Sequence, residues 1–228
     1  MNDAYTFETF VVAKSSREAF AAAISVAEDP GRVHNPLVLY GRSGCGKSHL
    51  LAALEHAIRT RFPAMNILRA PLHAFIAQLW SELRARNMPA FEDAMMGFDA
   101  ILLDDLQFGS NQVRTEEAVF LILESARAAG AQIVIASQSP CTFASATMVE
   151  IGYPDVSARL ELARREAAKH GLHLADDALR EIAEGIEGSP TRIKSAVARI
   201  AATSLAATIP LCGSSSSPRL PLPQSPSS

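Results

Sequence analysis

A chain of 228 residues with 48% apolar side chains is long enough to bury one sizeable core plus a small appended subdomain. Its net charge of −3 excludes a global positive field for nucleic acid, so any DNA contact has to be local. No apolar run is long enough to span a membrane and no signal-peptide pattern opens the chain, which points to the cytoplasm.

Ser15-Ser16-Arg17-Glu18 reads as a capping box opening a helix to about Glu28, with Phe20, Ile24 and Ala27 on its buried face. Leu37–Tyr40 reads as a strand. Directly after it, residues 41 to 48 run Gly-Arg-Ser-Gly-Cys-Gly-Lys-Ser and fit G-x-x-x-x-G-K-[ST], the pattern of a phosphate-binding loop. Gly41, Gly44 and Gly46 let successive backbone N–H groups point at phosphate oxygens. Lys47 adds a charge near the β- and γ-phosphates, and Ser48 offers a hydroxyl to Mg²⁺. A helix from about Gly46 to Arg61 aims its positive end at the same anion.

A second strand is expected at Met65–Ala70, then a helix from about Leu72 to Arg86 with Phe75, Leu79 and Trp80 as core, and a short helix within residues 87 to 97. Ala100–Leu103 is a continuous apolar run, as a buried parallel strand requires, and it ends in Asp104-Asp105. Beside a phosphate loop such a pair serves the metal and the attacking water, which assigns Asp104 to Mg²⁺ and Asp105 to the water. Thr115 is expected to cap a helix through Ala129, with Gly130 as its stop. Ile133–Ala136 is the next buried strand, and the alternation argues for a parallel sheet covered on both faces.

After residue 150, Pro154-Asp155, Ala175-Asp176 and Ser189-Pro190 each precede a helical period, which reads as a small three-helix subdomain. The expected division is an α/β core over residues 1–152, a helical lid over 153–208 and a disordered Ser/Pro-rich tail over 209–228. Cys45, Cys141 and Cys212 match no metal or redox spacing, and His49, His170 and His173 form no ligand set. Cys45 lies beside a helix N-terminus that would lower its thiol pKa, although a small residue tolerated in the loop is the simpler reading.

Further segments carry a resemblance. They are Tyr5-Thr6-Phe7-Glu8-Thr9-Phe10-Val11-Val12 with Ser15-Ser16-Arg17, Asn35-Pro36-Leu37, and Lys47-Ser48-His49-Leu50-Leu51. Asp104-Asp105-Leu106-Gln107-Phe108 with Arg114-Thr115-Glu116-Glu117, Gln132 to Ser137, and Ser189-Pro190-Thr191-Arg192 complete the set. Over roughly residues 5 to 205 the chain resembles the AAA+ module of the bacterial replication initiator DnaA and shorter relatives such as Hda. The resemblance implies a P-loop AAA+ sheet sandwiched by helices and followed by a three-helix lid, with ATP or ADP and Mg²⁺ held between them. It implies adenine-side contacts from Phe10, Val11 and Val12, and further nucleotide contacts from Gly41, Ser43, Gly44, Cys45, Gly46, Lys47, Ser48 and His49. Lys47, Asp105 and Gln138 are the implied catalytic set, with Ser48 and Asp104 on the metal and Arg192 reaching the γ-phosphate from the lid. The implied role is an ATP-dependent switch in replication initiation or its regulation, with replication proteins such as DnaA and the helicase as partners.

The chain also departs from that pattern. After the lid it turns to Ser and Pro where full-length initiators carry a helix-turn-helix, so autonomous origin recognition is not expected. Residues 139 to 151 hold no arginine or lysine where family members carry one that completes a neighbour's site, which leaves self-assembly and efficient hydrolysis open. Gln138 stands where an acid is usual, though its amide can still orient a water. Phe91 to Gly97 replace an arginine-rich stretch, and Arg84 and Arg86 read as a solvated helix end, so DNA contact is expected to be weak and not sequence-specific. Met1–Ala4 does not match a clamp-binding motif. A nucleotide-binding interaction module with little hydrolysis and a helicase-loader-type ATPase are the alternative readings, with a small-molecule kinase as an outsider.

Overall fold

A computed structural model describes residues 5–106, 113–141, 143 and 145–208; Met1–Ala4, Gln107, Phe108, Cys212 and the Ser/Pro tail lie outside the described residues. Strands β1 (Leu37–Tyr40), β2 (Ile67–Pro71), β3 (Ala100–Leu106), β4 (Gln132–Ser137) and β5 (Thr147–Glu150) form a five-stranded sheet in the order β2-β3-β4-β1-β5. Every pairing is parallel, so each connection must cross over the sheet. Helix α1 (Arg17–Glu28) precedes the first strand, α2 (Lys47–Arg61), α3 (Leu72–Arg84), α4 (Met88–Met96) and α5 (Val113–Ala128) lie in the crossovers from β1 to β4, and α6 (Val156–Lys169), α7 (Asp176–Gly185) and α8 (Pro190–Thr208) follow the last strand.

Period-two alternation splits the strand residues between two cores. Leu37, Leu39, Leu102 and Val134 point to the face covered by α1 and α2, against Leu50, Leu54, Ile58 and Val26. Val38, Ile101, Leu103, Ile133 and Ile135 point to the other face, against Phe75 and Leu79 of α3 and Val119 and Leu123 of α5. Both faces are covered, so these strands read as unbroken apolar runs. The last three helices close a core of their own around Ala163, Ala167, Leu179, Ile193 and Val197. Among the described residues, no helix is long and apolar enough to cross a membrane.

Several local expectations are corrected. The helix near residue 17 is prepared by a 3₁₀ turn, Lys14–Ser16, in which the Ser16 hydroxyl accepts from the Ala13 N–H at 3.0 Å. Ser15 leaves the helix start and donates to the Tyr153 carbonyl at 2.8 Å. The buried face of α1 is a small-residue stripe, Ala19, Ala22, Ala23, Val26 and Ala27, with Phe20 and Ile24 at its margins. α5 begins at Val113, so Thr115 lies buried in its first turn instead of capping it. Trp80 is 40% exposed, one position off the Phe75–Leu79 stripe. β3 runs past Leu103 to Leu106 with a register shift at the two aspartates. β5 was not anticipated, because this short edge strand buries only Val149.

Candidate functional site

The loop between β1 and α2 takes its path from glycine. Gly41 has φ +153°, and a Cβ there would lie 2.2 Å from the Ile151 carbonyl oxygen, so any side chain would collide with the strand leaving the sheet. Gly44 has φ +75°, and its Cβ would stand 2.8 Å from the Ser189 Cβ, where the start of α8 comes down onto the loop. Lys47 opens α2 and is only 7% exposed; its ammonium donates to the carbonyls of Gly41 at 2.6 Å and Arg42 at 3.0 Å. A buried ammonium needs such acceptors, and here they hold the charge against the loop.

One residue on, the Ser48 hydroxyl donates to Asp104 Oδ1 at 3.0 Å. Asp104 also accepts the Asp105 N–H at 2.9 Å and pairs with Arg69 at 3.6 Å, while Arg69 reaches Glu55 at 3.2 Å. Asp105 is exposed, with φ +57° at the β3 irregularity, a conformation that costs a non-glycine residue about 1–2 kcal/mol. Two adjacent oxygen donors, the Ser48 hydroxyl and the Asp104 carboxylate, match the hard-ligand preference of Mg²⁺.

Above the loop lies a cavity of about 580 Å³. Its apolar end is walled by Phe10, which stacks on Phe20 at 5.6 Å between centroids, and by Val11. His49 sits edge-on to Tyr5 at 4.9 Å and Phe10 at 5.2 Å, with Nε2 at 3.2 Å from both the Thr6 carbonyl and the Thr9 hydroxyl. Burial, aided by the charges of Lys194 and Lys169, pushes its pKa down to about 4, so the imidazole is neutral at neutral pH. The lid contributes Arg165 and Lys169 from α6 and Thr191 and Lys194 from α8 to the same cavity.

Among the residues singled out from sequence, Phe10, Val11, Gly44, Cys45, Gly46, Lys47, Ser48 and His49 meet on this wall. Gly41 lies buried behind it, and Ser43 is exposed with its carbonyl accepting from the Tyr153 hydroxyl at 3.2 Å. Asp104 lines an adjoining hollow with Arg69 and Glu55. Val12 is 41% exposed and off the wall. Gln138 is exposed just after β4, next in sequence to Ser137, whose carbonyl accepts the Gly41 N–H at 3.2 Å. Arg192 is not brought to the cavity; its Nη1 donates to the Glu187 carbonyl at 3.0 Å. Cys45 is also corrected, since burial pushes its thiol pKa up and outweighs the nearby Lys47 charge. Sequence reasoning missed Lys194, Lys169, Arg165 and Arg69; the only signal for the first was its position three residues after Thr191 in α8.

A parallel sheet carrying a glycine-rich loop, an acidic β3 end and a helical lid over one cavity defines a P-loop protein of AAA+ architecture. The family model for the bacterial DnaA ATPase domain matches residues 1–147, and the chain belongs to that family. It is 33% identical over 211 residues to the chromosomal replication initiator protein DnaA of Thermus thermophilus, an alignment covering 87% of this chain and 48% of the relative. The chain therefore spans about half the length of the curated relatives it matches. Domain III of the Thermotoga maritima replication initiation protein DnaA superposes with a TM-score of 0.81 at 25% identity, covering 91% of each chain. A replication initiator DnaA bound to AMPPCP and single-stranded DNA gives 0.77 at 25% identity, over 87% of this chain and 65% of that one.

Proposed function

We propose that this chain binds ATP with Mg²⁺ in the cavity between sheet and lid, and works as a nucleotide-operated switch in replication initiation or its regulation. The observation that carries the reading is Lys47, a nearly buried ammonium beneath the loop, next to the Ser48–Asp104 pair. Gly44, Gly46, Lys47 and Ser48 would receive the phosphates, with Phe10 and Val11 toward the base and His49 holding the opening segment in place. Ser48 and Asp104 would hold Mg²⁺, whose charge lowers the repulsion among phosphate oxygens. Asp105, with Gln138 nearby in the sequence of elements, would orient water. The ATP analogue in the related DnaA structure supports the same ligand class. Residues 139 to 151 carry no arginine or lysine, which supports slow turnover and action through protein partners, such as the initiator itself or the helicase, over fast autonomous hydrolysis.

Calorimetry with ATP and Mg²⁺ tests this. The folded chain should bind, and Lys47→Ala should weaken binding by roughly a hundredfold, the scale of a lost charge-assisted phosphate contact. Absence of binding heat from folded wild-type protein refutes the reading. Pull-down with full-length initiator or helicase should be stronger in ATP than in ADP.

A further inference from the structure

We infer that Lys194, backed by Lys169 and Arg165, is the lid's cation for the nucleotide phosphates, and that Arg192 is not; this rests on the nucleotide-binding reading above. The start of α8 meets the phosphate loop closely, with Ser189 Cβ 2.8 Å and Thr191 Oγ1 3.7 Å from where a Gly44 Cβ would be. Residues three apart on a helix share a face, whereas neighbours diverge by about 100°. Thr191 and Lys194 therefore line the cavity together, while Ile193 is fully buried in the lid core and Arg192 is turned outward. The Arg192 guanidinium is occupied by the Glu187 carbonyl at 3.0 Å.

Lys194 is in the opposite situation. Its side chain is half-buried against the cavity, and burial together with the charge of Lys169 holds its pKa below the ordinary lysine range. The carboxylate that offsets this, Glu166, is already engaged by Lys169 at 3.4 Å and His170 at 3.5 Å. Arg165 borders the same cavity and spends one bond on the Glu8 carbonyl at 3.1 Å and another on Glu161 at 2.7 Å. Across the space lie Lys47 and the N-terminus of α2. Lys194 and Lys169 repel each other on the lid wall of a cavity that also holds Lys47, Arg165, Glu8 and Glu166, and a polyphosphate is the ligand chemistry that such a surplus of cations fits.

The test compares Lys194→Gln, Lys194→Met, Lys194→Arg and Arg192→Gln in the full chain, titrated with ATP and Mg²⁺ by calorimetry after circular dichroism confirms folding. Both charge-removing variants at Lys194 should weaken ATP binding roughly tenfold, Lys194→Arg should recover most of it, and Arg192→Gln should stay within about twofold of wild type. Lys194→Met preserves the packing of the aliphatic stem, and so separates lost charge from lost fold. Loss on Arg192→Gln with wild-type affinity in the Lys194 variants overturns the inference, as does a loss at Lys194 that arginine does not restore. If wild type binds ATP, Lys47→Ala binds it far more weakly and Lys194→Gln binds normally, this inference alone fails; if wild type does not bind, the nucleotide reading fails first.

Discussion

His49 shows how one side chain couples the opening segment to the first turn of α2. Its ring is enclosed by Tyr5 and Phe10, and Nε2 lies within 3.2 Å of Thr6 and Thr9, an arrangement suited to the neutral imidazole. The folded pKa of about 4 lies below the ordinary value of 6.5. Between those values the unfolded chain binds more protons than the folded one, so stability rises with pH across that window. The contribution is whole above 6.5 and is lost as the pH falls toward 4. Urea midpoints measured from about pH 7 to about pH 5 should fall in wild type and fall less in His49→Gln, which keeps a polar group for the Thr6 carbonyl. The lowered carboxyl pKa values of Glu8, Glu124 and Asp155 start from 4.5 or 3.8 and act in more acid solution, so they do not mask the effect.

At the scale of elements, α6 depends on a single cap. Asp155 Oδ1 accepts the Ala158 N–H at 2.9 Å and the Ser157 hydroxyl at 2.6 Å, and those bonds, the serine's first, hold its carboxyl below the usual range. Asp155→Ala should lower the free energy of unfolding by about 1 kcal/mol in urea titrations, while Asp155→Asn should restore most of it. That cap was readable from Pro154-Asp155, as were the strands with both faces covered, since Leu37–Tyr40 and Ile133–Ala136 leave no polar position to confuse the period. β5 was not readable, because Thr-Met-Val-Glu offers one inward apolar residue and its place is set by pairing with β1. Thr115 and Ser15 looked like caps from type and spacing alone, yet Thr115 is buried inside α5 and Ser15 is bonded to the lid junction.

For the whole molecule, the candidate site is the cavity where core and lid meet, and only the meeting of its core residues was legible. The phosphate loop and Asp104-Asp105 are contiguous motifs whose order on the chain already implies their meeting at the strand ends. The lid half depends on the rotational phase of α8, where moving by one residue exchanges a cavity-facing side chain for an outward one, and no local pattern fixes that phase. ATP should slow amide exchange at residues 43–48 and 189–194 together, while the lid's own core around Ala163 and Val197 changes little; hydrogen exchange read by mass spectrometry checks this.

The bond from Arg165 to the Glu8 carbonyl, with Ser15 and Tyr153 joined a short way along, fastens α6 to the chain's first turns. Peeling that leading stretch away would unclasp one flank of the lid. A binding protein that seizes those first turns from outside would draw Phe10 and Val11 off the cavity wall in the same movement.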